Sequence, residues 1–239
     1  MVDLLSATPC LEAVILDFDG VILDSETPEY EAHRLLFEQS GGHLSIEAWT
    51  RQVGVWEEDD DQAWHGRLCA ACPNPPTLEQ FRIEKRRLFA EHLNMSVLPG
   101  IDVLLGSLAD AHVPVAVASS SPARWVLGAV ARLGIASRLQ TIVTGDDVTN
   151  RKPAPDVYLE AIRRLGVRSA HTVAIEDSGP GLTAALAAGV KTVVVPHRLT
   201  AQHDLHAAHW RVASALEVTL ERLRELIARD ARERPVPIK

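Results

Sequence analysis

Short apolar, β-branched runs alternate along this chain with longer segments whose apolar positions recur every three or four residues. The short runs are Ala13 to Phe18, Val113 to Ala118, Thr141 to Thr144, Thr172 to Ile175 and Lys191 to Val195. Each reads as a strand buried on both faces. The helical patterns between them include Ala123 to Leu133, Pro155 to Leu165 and Gly181 to Ala188, which stop before Gly134, Gly166 and Gly189. A glycine there closes a helix because it enters the left-handed region without a steric penalty. Strand, helix, strand in regular alternation predicts an α/β fold, a mainly parallel sheet with helices on both faces.

The stretch from Glu26 to Leu98 breaks this rhythm, with helix patterns and no convincing strand. One helix is expected from Pro28 to Gln39, stopping at Gly41-Gly42. Another is expected to open at Thr77, where Thr77 and Gln80 have capping-box spacing. The acidic run Glu57 to Asp61 and the proline-rich Pro73 to Pro76 read as loops. The expected organisation is a core of residues 1–25 and 99–239 carrying a small helical insert, 26–98. Ser214 and Glu217 repeat the capping-box spacing and predict a last helix from there to about Arg232. No internal repeat is present.

Composition narrows the class. The 239 residues are 46% hydrophobic and 23% charged, as in a folded soluble protein. With 24 basic and 32 acidic residues the net charge is −8, which argues against a nucleic-acid partner. No run approaches the roughly 18 apolar residues of a membrane helix. The opening MVDLLSATPCLEAVILDFDG has no basic leader region, so the expected location is the cytoplasm. Three cysteines, an odd number, suit a reducing compartment. Cys69 and Cys72 form a CxxC, but with no second pair and only His65 nearby they read as packing cysteines before a zinc or redox site. Nothing here sets the oligomeric state, and a monomer suffices.

In open α/β sheets ligands bind outside the carboxyl ends of the strands, so the polar residues there carry the chemistry. The first strand runs into Asp17-Phe18-Asp19-Gly20, two carboxylates where the chain leaves the sheet. Magnesium prefers hard oxygen ligands and often binds through one or two carboxylates plus a substrate phosphate. The second strand ends in Ser119-Ser120-Ser121-Pro122, hydroxyls and N–H groups at a helix start, suited to an oxyanion. After the third strand, Lys152, one of four lysines, is followed by Pro153 and Pro155, which hold it in a stiff loop. A buried lysine is costly unless it faces anions. The fourth strand ends in Glu176-Asp177-Ser178-Gly179, a second acidic pair able to complete a metal site.

DFDGVILDSE, VAVASSSP, RKPAPDVY and AIEDSGPGLTAA, in this order, resemble the four motifs of the haloacid dehalogenase superfamily. The insert after the first of them resembles the α-helical cap of the subgroup containing β-phosphoglucomutase and many sugar-phosphate phosphatases. The resemblance implies a Rossmann-like core and a magnesium-dependent phosphatase acting on a small phosphorylated metabolite, a sugar phosphate. By resemblance Asp17 is the nucleophile that forms an aspartyl-phosphate, and Asp19 is the general acid and then base. Magnesium would be held by Asp17, the Asp19 backbone carbonyl, Asp177 and Glu176, directly or through water. Ser119, Ser120 and neighbouring N–H groups would grip the phosphate, and Lys152 would neutralise Asp17 and the phosphoryl group.

Other groups keep two readings. Arg82, Lys85 and Arg86 share one face of the helix after Thr77, either solvated or looking down on the substrate. His203, His206 and His209 lie three apart and read as surface histidines before metal ligands. The alternative function is a hexose-phosphate mutase, which needs a second phosphate grip in the cap. The acidic Val53 to Asp61 segment argues against it. Asp19 argues against a dehalogenase, and the late position of Lys85 argues against a Schiff-base phosphonate enzyme.

Overall fold

A computed structural model describes residues 10–51, 53 and 60–233. In chain order its elements are β1 (Ala13–Leu16), α1 (Glu26–Gln39), α2 (Ile46–Thr50), α3 (Asp60–Ala71), α4 (Leu78–His92), α5 (Ile101–Asp110), β2 (Val115–Ala118), α6 (Ala123–Leu133), β3 (Thr141–Val143), α7 (Asp156–Leu165), β4 (Thr172–Glu176), α8 (Gly179–Ala187), β5 (Lys191–Val194), β6 (Trp210–Arg211) and α9 (Leu220–Glu233).

The strands form one parallel sheet in the order β3-β2-β1-β4-β5-β6. The order reverses at β1, whose Val14 stands opposite Val115 of β2 on one side and Val173 of β4 on the other. Strand alternation divides the core. Val14 and Leu16 turn toward the face covered by α5, α6 and α9, with Leu104, Val126 and Leu223. Ile15 turns to the other face, with Tyr158 and Ala161 of α7 and Ala184 of α8. Each Val, Leu or Ile side chain so buried stabilises the fold by about 1.5–3 kcal/mol relative to exposure.

Helices α1 to α4 pack around a core of their own that includes Phe37, Trp49, Trp64 and Phe81. Leu199, from the connection between β5 and β6, joins that cluster. Trp49 and Trp64 stack with ring centroids 4.7 Å apart. The Thr77 capping box forms as the spacing predicts: Thr77 Oγ1 accepts from Gln80 N, and Gln80 Oε1 accepts from Thr77 N.

Three expectations change. The Ser214–Glu217 box forms but closes a single 3₁₀ turn, and the last helix begins only at Leu220, because the same local spacing suits either kind of turn. Asp60 and Asp61 open α3 rather than ending a loop, at the end of the helix dipole where acidic side chains are favoured; Glu57, Glu58 and Asp59 lie outside the described residues. The short sixth strand was not anticipated. Among the described residues no helix is long and apolar enough to cross a membrane.

Candidate active site

The site lies outside the carboxyl ends of β1, β2 and β4, beside the point where strand order reverses. Asp17 N donates to Ile175 O at 3.0 Å, which prolongs the sheet by one residue. Phe18 is fully buried in the core, while Asp17 and Asp19, to either side of it, line a cavity of about 160 Å³ together with Ser119, Lys152 and Asp177. Gly20 then turns the chain with φ +82°, and a Cβ on it would sit 2.4 Å from Asp177 Oδ2. Only glycine meets both demands.

The cavity floor is a charge cluster. Lys152 Nζ donates to Asp17 Oδ1 at 2.6 Å and to Glu176 Oε1 at 2.7 Å. Tyr158 Oη donates to the same Glu176 oxygen at 2.5 Å. Burial works against the lysine's charge, but Asp17 and Glu176 outweigh it and hold Lys152 protonated well above the usual lysine range. Burial, then the charge of Glu176, push the Asp17 carboxyl well up, against the pull of Lys152. Burial likewise raises Asp177, with His197 acting against it.

Asp17, Glu176 and Asp177 offer oxygens within 4.8 Å of one another. One lysine cannot balance three carboxylates. Asp177 Oδ2 is buried without a hydrogen-bond partner, and His197 Nε2, 3.2 Å away, makes no aligned bond to it. An all-oxygen donor set, surplus negative charge and an unsatisfied buried oxygen fit a hard divalent cation. Gly181, at the start of α8, leaves room for the acid behind it: a Cβ there would lie 2.0 Å from Glu176 Oε2.

The loop after β2 supplies hydroxyls. Ser119 Oγ accepts from Ser121 N at 3.0 Å, and Ser120 Oγ accepts from Lys152 N at 3.1 Å, which ties the serine loop to the lysine loop. Several expected N–H groups are already engaged: Ser119 N donates to Val143 O and Ala123 N to Asp146 Oδ2. The Ser120 N–H has no acceptor among the described residues.

The Asp19 side chain is not part of the three-carboxylate cluster. Its Oδ1 accepts from Ser25 Oγ at 2.6 Å and from Trp125 Nε1 at 2.9 Å, and its Oδ2 accepts from Ser121 Oγ at 2.6 Å. Ser121 belongs to the serine run expected to grip an oxyanion and here holds Asp19 instead, whereas Ser25, Glu26, Trp125 and Tyr158 have no role in the sequence reading, although Tyr158 ends the quoted RKPAPDVY segment. Glu26 lines the cavity, and burial, followed by Asp19 and Asp177, pushes its carboxyl well above the usual range. Ser25 and Glu26 do fall within the quoted DFDGVILDSE segment, at its end, whereas nothing local marks Trp125.

Arg82, Lys85 and Arg86 line a cleft of about 800 Å³ between the helical insert and the sheet, which also reaches Asp19. They do not all face it as free cations. Lys85 Nζ pairs with Asp61 at 2.5 Å and Glu29 at 2.9 Å, and Arg82 Nε lies 3.5 Å from Asp61. Burial opposes the Lys85 charge, but Glu29 and Asp61 raise its pKa overall. Arg86 Nε donates to Arg82 O at 3.0 Å.

The three spaced histidines go to separate partners. His203 accepts from Gly179 N and donates to Thr50 O, joining α8 to the insert. His209 accepts from Thr192 N, and His206 contacts Asp204. Cys72 is buried and Cys69 exposed, both as free thiols.

Comparison with known proteins accords with this geometry. The Bacillus subtilis (strain 168) protein YhcW is 34% identical over 211 residues, covering 88% of this chain and 94% of its own. The phosphorylated carbohydrates phosphatase of Thermotoga maritima is 34% identical over 187 residues, covering 77% of this chain and 84% of its own. The crystal structure of CbbY from Rhodobacter sphaeroides in complex with xylulose-(1,5)bisphosphate superposes with a TM-score of 0.69 at 26% identity, covering 89% of this chain and 99% of that one. Residues 14–195 match the haloacid dehalogenase-like hydrolase family, and with the strand-end carboxylates, serine loop and buried lysine in place the chain belongs to that family.

Proposed function

We propose that this protein is a magnesium-dependent phosphatase that hydrolyses a small sugar phosphate through an aspartyl-phosphate on Asp17. The observation that carries the reading is the Asp17–Lys152–Glu176 cluster at the floor of a cavity opening beside Asp19. An oxygen of Asp17 bonds to phosphorus as the phosphorus–oxygen bond to the sugar breaks, and Asp19 gives its proton to the departing alkoxide. Asp19 then takes a proton from water, whose oxygen bonds to phosphorus and releases phosphate from Asp17. Lys152 stabilises negative charge on Asp17 and the phosphoryl group, and the Ser119 and Ser120 hydroxyls orient that group.

Asp17, Glu176 and Asp177, with the Asp19 carbonyl, would hold magnesium, which when bound offsets charge on the phosphoryl oxygens. The larger cleft above has room for the sugar. The phosphatase names among the relatives support the same reading.

A panel of phosphorylated sugars and other small metabolites, assayed for phosphate release with magnesium and again with chelator, tests the proposal. Magnesium-dependent release that disappears in Asp17→Asn is expected. No release from any member, or full release by Asp17→Asn, would overturn it. Glucose 1-phosphate with a bisphosphate primer is expected to give phosphate or no reaction, and efficient formation of glucose 6-phosphate would favour a mutase.

A further inference from the structure

Trp125 occupies the first turn of α6, and its indole Nε1 donates to Asp19 Oδ1 at 2.9 Å. Ser25 shares that oxygen and Ser121 donates to Oδ2, both at 2.6 Å. These donors are not chemically equivalent. A serine hydroxyl can rotate to accept a hydrogen bond, whereas an indole N–H only donates. The two serines can therefore adjust to the carboxyl, while Trp125 can only hold Oδ1 as an acceptor in one fixed direction.

We infer that Trp125 is a positioning residue that holds the Asp19 carboxyl in one orientation, with Oδ2 turned toward the serine loop. Ser119 Oγ, 3.5 Å from Oδ2, marks that direction. The inference rests on the phosphatase reading above. With Oδ1 held by the indole, Oδ2 is the oxygen presented on the phosphate-gripping side. Without the indole the carboxyl can turn, and part of the population faces away from the leaving alkoxide.

The ring is itself braced by the insert. Phe89, near the end of α4, meets Trp125 edge-on, with centroids 5.7 Å apart and an interplanar angle of 67°. Both side chains line the cleft that admits the substrate. The aim of Asp19 is thus coupled to how α4 sits over the sheet.

Trp125→Phe keeps a ring against Phe89 and removes the N–H. Single-turnover phosphoryl transfer with magnesium is measured on an alkyl phosphate from the panel above and on p-nitrophenyl phosphate. An alkoxide needs a proton to leave, whereas p-nitrophenolate, a weak base, does not. Because a general acid contributes about 10²–10⁴-fold, its partial misdirection is expected to lower the alkyl-to-aryl rate ratio about tenfold, with KM for the alkyl phosphate within about twofold of wild type. Phe89→Leu is expected to lower the ratio in the same direction by less. An unchanged ratio, whether both rates hold or both fall equally, would make Trp125 a packing residue and overturn the inference. A wild-type protein inactive on both substrates would overturn the phosphatase reading first, so the two failures are distinct.

Discussion

Lys152 Nζ lies 2.7 Å from Glu176 Oε1, both side chains are buried, and the same ammonium holds Asp17 at 2.6 Å. The lysine is therefore the structural counter-charge of both carboxylates, and in the proposed reaction it is also the cation that faces the phosphoryl group. Lys152→Met keeps the length and removes the charge, leaving two buried carboxylates face to face. Breaking a buried pair in this way costs roughly 3–5 kcal/mol, and losing one preorganised charge costs about 10²–10³ in kcat. Urea unfolding and phosphate release check both figures. Added magnesium should recover more stability in this variant than in wild type, because the cluster then lacks the ammonium between Asp17 and Glu176.

Asp17→Asn should separate activity from stability. Burial and the charge of Glu176 disfavour the Asp17 anion in the folded protein. Removing that anion is expected to leave the urea midpoint unchanged or raised, while turnover falls by at least about 10³-fold through loss of the proposed nucleophile. A large loss of stability alongside the activity would show instead that the fold depends on the Asp17–Lys152 bond.

Gly181→Ala tests the space behind Glu176, one of the carboxylates proposed to hold magnesium. In a helix, alanine is ordinarily favoured over glycine by roughly 0.5–1 kcal/mol. At this position the added Cβ would lie 2.1 Å from Glu176 Cδ, so the clash wins and the carboxylate must move. The expected result is a rise of about tenfold or more in the magnesium concentration giving half-maximal activity. Isothermal titration of magnesium alone, without substrate, gives a second measure of the same change.

His33 makes the insert sensitive to acid. It is fully buried among Trp49, Trp64 and Phe81, donates from Nδ1 to Glu29 O at 2.8 Å, and leaves Nε2 unpartnered. Burial lowers its pKa from the ordinary 6.5, despite the opposing pull of Glu29. Because the folded pKa lies below the unfolded one, the unfolded chain binds more protons between the two values, and stability falls as pH drops below about 6.5. Thermal unfolding should show a lower midpoint at pH 5.5 than at pH 7.5. His33→Phe, which removes the titrating group, should reduce that difference, and an equal difference in the variant would exclude His33 as its source.

What the chain determines by itself is local. Short apolar, β-branched runs mark strands β1 to β5, and apolar positions every three or four residues mark helices α6 to α8, because a strand buried on both faces is apolar throughout whereas a helix buries one stripe. The Thr77 box and the stop at Gly134 are equally legible, since a cap is satisfied within a few residues. Asp17, Ser119, Lys152, Glu176 and Asp177 could be placed at one end of the sheet for the same reason: each ends or follows a strand, and parallel strands share a direction. Tertiary structure decides which of them touch. Only the order β2-β1-β4 brings Asp17, Glu176 and Asp177 within 4.8 Å, and only the packing of α6 and α4 carries Trp125 to Asp19 and Phe89 to Trp125. The pairing of Lys85 with Glu29 and Asp61 joins three separate helices, so helical spacing cannot reveal it. Ser214 shows the reverse limit: its capping spacing is read correctly, yet whether the turn continues as a helix depends on packing beyond it.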